Sequence, residues 1–298
     1  MHLYYNNDQI KQMQHREKII TKDGQEIAMT IFRPSQVISK VLIIGADVTT
    51  SQKTYEKFAK YIATKGCVVY TFDYRGVGES LTNELKSYNA SLNQWGFMDL
   101  DAVILHAKHH FPKHELVFMG HGTSGQLLGL SPASQYLGNA IFINTSLTCW
   151  RYWPWYAQFK ISFMKLIRPL LSKIYGYWPG KRLGFNQNLP SGVTLELYDW
   201  CSRPNGLFDF FPDSNFRKIQ IPILVYSFTD DWFSPEKAVK SLLSHYTQAS
   251  ISWMHLKPSD VSLKTVGHSG FFLKKNKTVF WEFIAQWMCL SQSIKTAV

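Results

Sequence analysis

The sequence predicts an α/β protein with a mostly parallel sheet, antiparallel strands at its N-terminal side, helices on both faces and a helical insertion. Three observations carry this. Short apolar runs of strand length alternate with helical periodicities over residues 41–144, and again from residue 221 onward. A hairpin pattern precedes the first of these stretches. A segment of different composition, residues 146–217, separates the two.

Residues 17–33 read as that hairpin: EKIITK, a turn at Asp23-Gly24, then the alternating QEIAMTIF. VLIIGA (41–46) is a continuous apolar run suited to a strand buried on both faces. Tyr55, Phe58, Ala59 and Ile62 then share one helical face, and Gly66 stands where that helix would stop. CVVYTFD (67–73) is followed by a helix from about Trp95 to His110, ELVFMG (115–120) by a helix starting near Thr123, and AIFIN (140–144) is the next strand. After the interruption come IPILVYS (221–227), a helix from Pro235 to about Tyr246, the strand SISWMHL (250–256), a loop to Gly270 and an amphipathic helix near 277–290. Strands alternating with helices imply right-handed crossovers and a parallel sheet.

A chain of 298 residues, 45% hydrophobic, has length for one or two domains and is neither disordered nor low-complexity. Because sheet elements lie on both sides of 146–217, that segment reads as a helical cap inserted into a single domain spanning 1–298. It holds 17 aromatic residues in 72, and nine basic residues against four acidic ones, so it carries nearly half of the net charge of +11.

The four cysteines, Cys67, Cys149, Cys201 and Cys289, stand singly with no CxxC pair, which argues against a structural metal. The polar start MHLYYNNDQIKQMQHREK lacks the apolar core of a leader, and a reducing, cytoplasmic protein is expected. No run of about 18 apolar residues predicts a membrane span. The basic balance invites an anionic partner, but no helix-turn-helix, RNP-type or zinc-finger pattern accompanies it, so nucleic acid is not expected. Peripheral contact with anionic lipid through the basic, aromatic insertion, with Lys165, Arg168 and Lys173, is the remaining candidate of that kind. Arg75-Gly76-Val77-Gly78 does not fit a dinucleotide fingerprint and no Walker sequence is present; no cofactor and no metal are expected.

Catalytic groups in such sheets sit in loops at the C-terminal ends of strands, where helix N-termini offer backbone N–H donors. Three loops qualify: Gly120-His121-Gly122-Thr123-Ser124-Gly125, Thr229-Asp230-Asp231-Trp232-Phe233-Ser234-Pro235, and Val266-Gly267-His268-Ser269-Gly270. Their chain order is that of nucleophile, acid and base in an α/β-hydrolase. With Gly45-Ala46, the run Phe72-Asp73-Tyr74-Arg75-Gly76-Val77-Gly78-Glu79-Ser80, and the insertion strings 176–184, 189–193 and 200–204, the chain resembles the α/β-hydrolase superfamily over about residues 17–290. The resemblance is to its serine-aminopeptidase-like group and to a bacterial branch of predicted hydrolases.

That resemblance implies hydrolysis of esters, thioesters or amides by a serine held at a sharp turn, but the nucleophile position is Gly122. Glycine has nothing to attack with, and loss of a triad nucleophile costs about 10⁶ in turnover. Ser124 is the alternative nucleophile, although its place on the helix start turns it away from the elbow tip; a water in the space left at Gly122, deprotonated by His268, is another. His268 is the expected base and Asp231 its expected acid, with Asp230 as the rival. The N–H groups of Thr123 and Ala46 are the expected oxyanion donors. Trp150, Tyr152, Trp153, Trp155, Tyr156, Tyr177, Trp178 and Trp232, with Ile161, Met164, Ile167 and Leu171, are expected to line an apolar pocket for an acyl-type substrate or ligand. Two functions remain open: a hydrolase impaired at its nucleophile, and a catalytically silent relative that binds a hydrophobic ligand or a protein partner.

Overall fold

Alternating apolar positions on either side of the Asp23-Gly24 turn build the antiparallel pair β1 (Gln14–Ile20) and β2 (Glu26–Phe32), in register from Gln14 opposite Phe32 to Ile20 opposite Glu26. The computed structural model describes residues 14–35 and 40–290. Of the N-terminal stretch read for a leader, 1–18, residues 1–13 lie outside them. β2 pairs antiparallel with β4 (Val68–Phe72), and the remaining strands are parallel: β3 (Lys40–Gly45), β5 (Glu115–His121), β6 (Leu137–Ile143), β7 (Pro222–Phe228) and β8 (Ser250–Leu256). The eight strands run in the order β1-β2-β4-β3-β5-β6-β7-β8. Strand order reverses around β3, so β3 and β5 lie side by side at the centre with their following loops at one edge.

Continuous apolar runs such as VLIIG and LVFM need cover on both faces, and two apolar clusters supply it. On one face α1 (Glu56–Ala63) and α7 (Glu282–Leu290), the latter led in by a wider π-type turn Lys277–Trp281, bury Phe58, Ile62, Trp281 and Ile284. On the other, α2 (Asp101–His110), α3 (Thr123–Leu127) and α6 (Glu236–Leu243) bury Trp95, Val103, Leu127, Val239 and Leu242. Between β6 and β7 lie α4 (Trp155–Tyr175), α5 (Ser191–Ser202) and short 3₁₀ turns. Among the described residues no helix is long and apolar enough to cross a membrane.

The run Phe72–Ser80 that carries part of the resemblance is a structural clamp. The Arg75 guanidinium, 1% exposed, donates to Asp23 at 2.6 and 2.9 Å and through Nε to Asp99 at 2.7 Å, tying the hairpin turn to the helix layer. Asp73 accepts the backbone N–H groups of Gln52 (2.8 Å) and Glu79 (3.0 Å), fixing the loops on either side of β4. Buried charges of this kind persist only when paired and fully hydrogen-bonded.

Candidate functional site

β5 runs into α3 through Gly122, whose backbone sits at φ +53° and ψ −122°, a conformation L side chains rarely adopt. This is the sharp strand-to-helix turn expected of a nucleophile elbow. Close helix–strand crossing here depends on glycine: a β-carbon at Gly120 would fall 2.6–2.7 Å from the backbone of Gly125.

No side chain projects from the elbow tip, and a carboxylate from the neighbouring loop stands there instead. Asp47, two residues past the end of β3, places Oδ1 where it accepts the Thr123 N–H at 3.0 Å. A β-carbon built on Gly122 would lie 2.2 Å from that oxygen and 3.0 Å from His268 Nε2. The other oxygen, Oδ2, accepts the N–H (3.0 Å) and hydroxyl (2.7 Å) of Thr49 and lies 3.7 Å from His268 Nε2. On its far side His268 donates through Nδ1 to Asp231 Oδ2 at 2.7 Å. One imidazole is thus flanked by two carboxylates. Burial alone would lower the His268 pKa, but the hydrogen bond to Asp231, the nearby carboxylate of Asp47 and both negative charges raise it to about 10. For Asp47 burial works toward a higher value, and the close His268 imidazole, its charge and the Thr123 N–H outweigh it, holding the carboxyl well below the usual range. Both shifts favour an imidazolium beside a carboxylate.

A buried chain of hydrogen bonds positions this pair from behind. Burial, and next the charge of His268, lower the pKa of His121 to about 4, so its ring is neutral. Its Nε2–H donates to the His268 carbonyl (2.9 Å), leaving Nδ1 to accept from the Tyr55 hydroxyl (2.8 Å). Tyr55 in turn accepts the Asp47 N–H at 3.0 Å. Asn144, at φ +49°, donates Nδ2 to the carbonyls of Gly267 (3.0 Å) and His268 (2.7 Å). Asp47, Tyr55, His121 and Asn144 were not singled out from the sequence. The one available signal was an acidic residue immediately after the expected oxyanion donor Ala46.

The other site residues expected from the sequence take different places. Ser124, the alternative nucleophile, is fully buried with its hydroxyl bonded to Tyr74, on the Gly45 side of the turn, and it does not line the cavity. Asp230, the rival acid, spends its carboxylate on the N–H groups of Val266 (2.8 Å) and Gly267 (3.0 Å), so it braces the histidine loop from outside the imidazole. The Thr123 N–H, expected as a vacant oxyanion donor, is already taken by Asp47. Ala46 is buried at the end of β3. Of the expected pocket residues, Trp153, Trp178 and Trp232 line the cavity, half-buried Tyr152 and Tyr177 do not, and Trp150, Trp155 and Tyr156 are turned to solvent. Ile167 and Leu171 are half-buried on α4 without lining the cavity, and the side chains of Ile161 and Met164 lie outside those described.

The cavity, about 480 Å³, opens above Asp47, Gly122 and His268, and its walls come from the loops of the sheet and from residues 153–201. Phe163, Trp178, Phe185 and Tyr198 line it with Trp153 and Trp232, together with polar residues that include Gln126, Asn144, Thr148 and Gln187.

Residues 39–192, more than half of the chain, match the family described as serine aminopeptidase, S33. The chain belongs to that family. Among solved structures, this serine aminopeptidase-like hydrolase chain is similar to an esterase of Pyrococcus furiosus, with 14% identity over 97% of this chain and 93% of that one and a TM-score of 0.62. A soluble variant of monoglyceride lipase from Saccharomyces cerevisiae, in complex with a substrate analogue, shares 12% identity over 92% of this chain and 95% of that one, with a TM-score of 0.61. A thermophilic esterase from Thermogutta terrifontis shares 16% identity over 92% and 98%, with a TM-score of 0.56. At these identities the likeness is one of fold, and that fold is the α/β-hydrolase fold. Comparison with curated protein sequences finds no match.

Proposed function

We propose that this family member holds an apolar, acyl-sized molecule beneath a cap formed by residues 146–217, and does not perform serine-type acyl transfer on it. The observation that carries this is the position of Asp47 across Gly122 and Thr123. Acyl transfer needs a nucleophile beside a base and a vacant N–H for the developing oxyanion. Here the nucleophile side chain is absent, the donor is engaged, and the engaging group is an anion that repels a second negative charge. The imidazolium of His268 has no lone pair with which to accept a proton at neutral pH, which also argues against a water activated at Gly122. Burial of Ser124 against Tyr74 argues against the remaining serine route. The aromatic walls favour a hydrophobic ligand.

The reading is tested by exposing the purified protein to a fluorophosphonate probe and to nitrophenyl esters of increasing chain length, with tryptophan fluorescence followed in parallel. The expected result is no labelling and no turnover, together with saturable binding of the esters. Labelling mapped to any serine of the site would overturn it.

A further inference from the structure

We infer that α4 docks on an anionic lipid bilayer, lying flat with its outer apolar stripe in the surface and the mouth of the cavity facing the lipid. Trp155, Tyr156, Phe159, Phe163, Leu166, Leu170 and Ile174 are all exposed large apolar side chains on this one helix. At 100° per residue they fall within an arc of about 100°, so they form one continuous stripe along the whole element. Three of them are exposed to a degree unusual for their size, Trp155 at 81%, Leu166 at 77% and Phe159 at 73%. The flank next to the stripe turns inward, with Ile167 and Leu171 half-buried and Leu171 packed against the core. A contiguous apolar stripe on an otherwise polar surface marks an interaction site.

Charge selects the occupant. The helix sequence WYAQFKISFMKLIRPLLSKIY has four basic residues and no acidic one, and exposed Lys181 and Arg182 follow it. Two copies of this face brought together would juxtapose like charges with no acid to compensate, whereas an anionic headgroup layer is complementary to it. The helix is not apolar enough to cross the bilayer, which leaves the interfacial position. Continuity with the cavity gives the docking a purpose. Phe163 belongs to the stripe and also lines the cavity, as does exposed Leu183, so the stripe reaches the cavity wall. An apolar ligand leaving the lipid would reach the cavity without crossing water.

The test is co-sedimentation of the full chain with vesicles of phosphatidylcholine alone and of phosphatidylcholine mixed with phosphatidylglycerol. Pelleting is expected with the anionic vesicles only, weakening as salt is raised, and falling at least about tenfold in the double variant Leu166→Asp, Leu170→Asp, whose thermal melt should match that of the unaltered protein. Replacing Lys173 and Lys181 by Gln should weaken it roughly fivefold per residue. Absence of pelleting with anionic vesicles, or equal pelleting of the Asp variant, overturns the inference. So does a dimer in sedimentation velocity that the same Asp substitutions dissolve while vesicles are ignored, since the stripe would then be a contact between copies. Vesicle binding reads the stripe and fluorophosphonate labelling reads the site, so either proposal can fail without the other.

Discussion

A β-carbon on Gly122 would stand 2.2 Å from Asp47 Oδ1, so the side chain missing from one loop makes room for a carboxylate from another. The two positions depend on each other. With any larger residue at 122 the Asp47 carboxylate would have to leave the Thr123 N–H, and with Asp47 in place the elbow accommodates only glycine. The substitution of glycine at the tip and the salt link between Asp47 and His268 are parts of one arrangement.

Restoring a serine therefore requires two changes. Gly122→Ser alone is expected to remain unlabelled by fluorophosphonate and to lose stability, because the positive φ costs about 1–3 kcal/mol and the new β-carbon meets Asp47. Combining it with Asp47→Ala frees the Thr123 N–H and releases His268 Nε2. Ester hydrolysis in the double variant should exceed that of either single variant by about 10²-fold or more, and adding His268→Ala should remove it. A Gly122→Ser protein as active as the double variant would show that Asp47 does not block the site.

The second prediction concerns pH. His268 carries a pKa raised to about 10, so its contribution to stability is complete below its unfolded value near 6.5 and is lost as pH rises through about 10. Denaturant midpoints should accordingly decline across that window, and the decline should shrink in Asp47→Asn, where one of the two carboxylates is gone. In nuclear magnetic resonance spectra the His268 imidazole should still be protonated at pH 8, with its titration midpoint falling by more than about one unit in Asp47→Asn. A midpoint near 6.5 in the unaltered protein would contradict the ion pair.

The fold was legible because its signals are local. Asp23-Gly24 between alternating strands, the apolar runs at 41–46 and 115–120, and Gly66 at a helix end each specify an element from a few adjacent residues. Asp231 and His268 could be named because each follows its own strand in a fixed order. Asp47 could not, since its role arises only when the loop after β3 is folded against an elbow that lacks a side chain. The orientation of α4 was hidden for a different reason. Its apolar residues form one wide arc, Phe159, Leu166 and Leu170 running on into Ile167 and Leu171, and periodicity alone does not say which part of it faces the sheet.

The third prediction tests the clamp beneath the site. Arg75→Leu leaves buried Asp99 without its partner and should cost about 3–5 kcal/mol in urea unfolding. Asp23→Asn touches the same guanidinium from a partly exposed position and should cost about 1 kcal/mol. Hydrogen bonding from Arg75 lowers the Asp23 pKa to about 2 against the opposing effect of burial, so its contribution is present above the unfolded value near 4 and is lost as pH falls through about 2. The Asn variant should show a correspondingly smaller loss over that acid window.

The fourth prediction concerns what the cavity selects. Its walls carry six aromatic side chains from Trp153, Phe163, Trp178, Phe185, Tyr198 and Trp232 among polar ones, and its floor presents Asp47 and His268, with Asp231 behind the imidazole. Each methylene buried contributes about 0.8 kcal/mol, so affinity in a series of straight-chain alcohols should rise about fourfold per added carbon until the cavity is full. Two carboxylates flank a single imidazolium at the floor, and the Thr123 N–H that would greet an anion is occupied by Asp47. A fatty alcohol should therefore bind more tightly than the fatty acid of the same chain length, read from quenching of the tryptophans that line the cavity. Asp47→Asn should narrow that difference, and Leu197→Trp, which fills the cavity from α5, should weaken both ligands together. A preference for the carboxylate in the unaltered protein would mean that His268, and not Asp47, governs the floor.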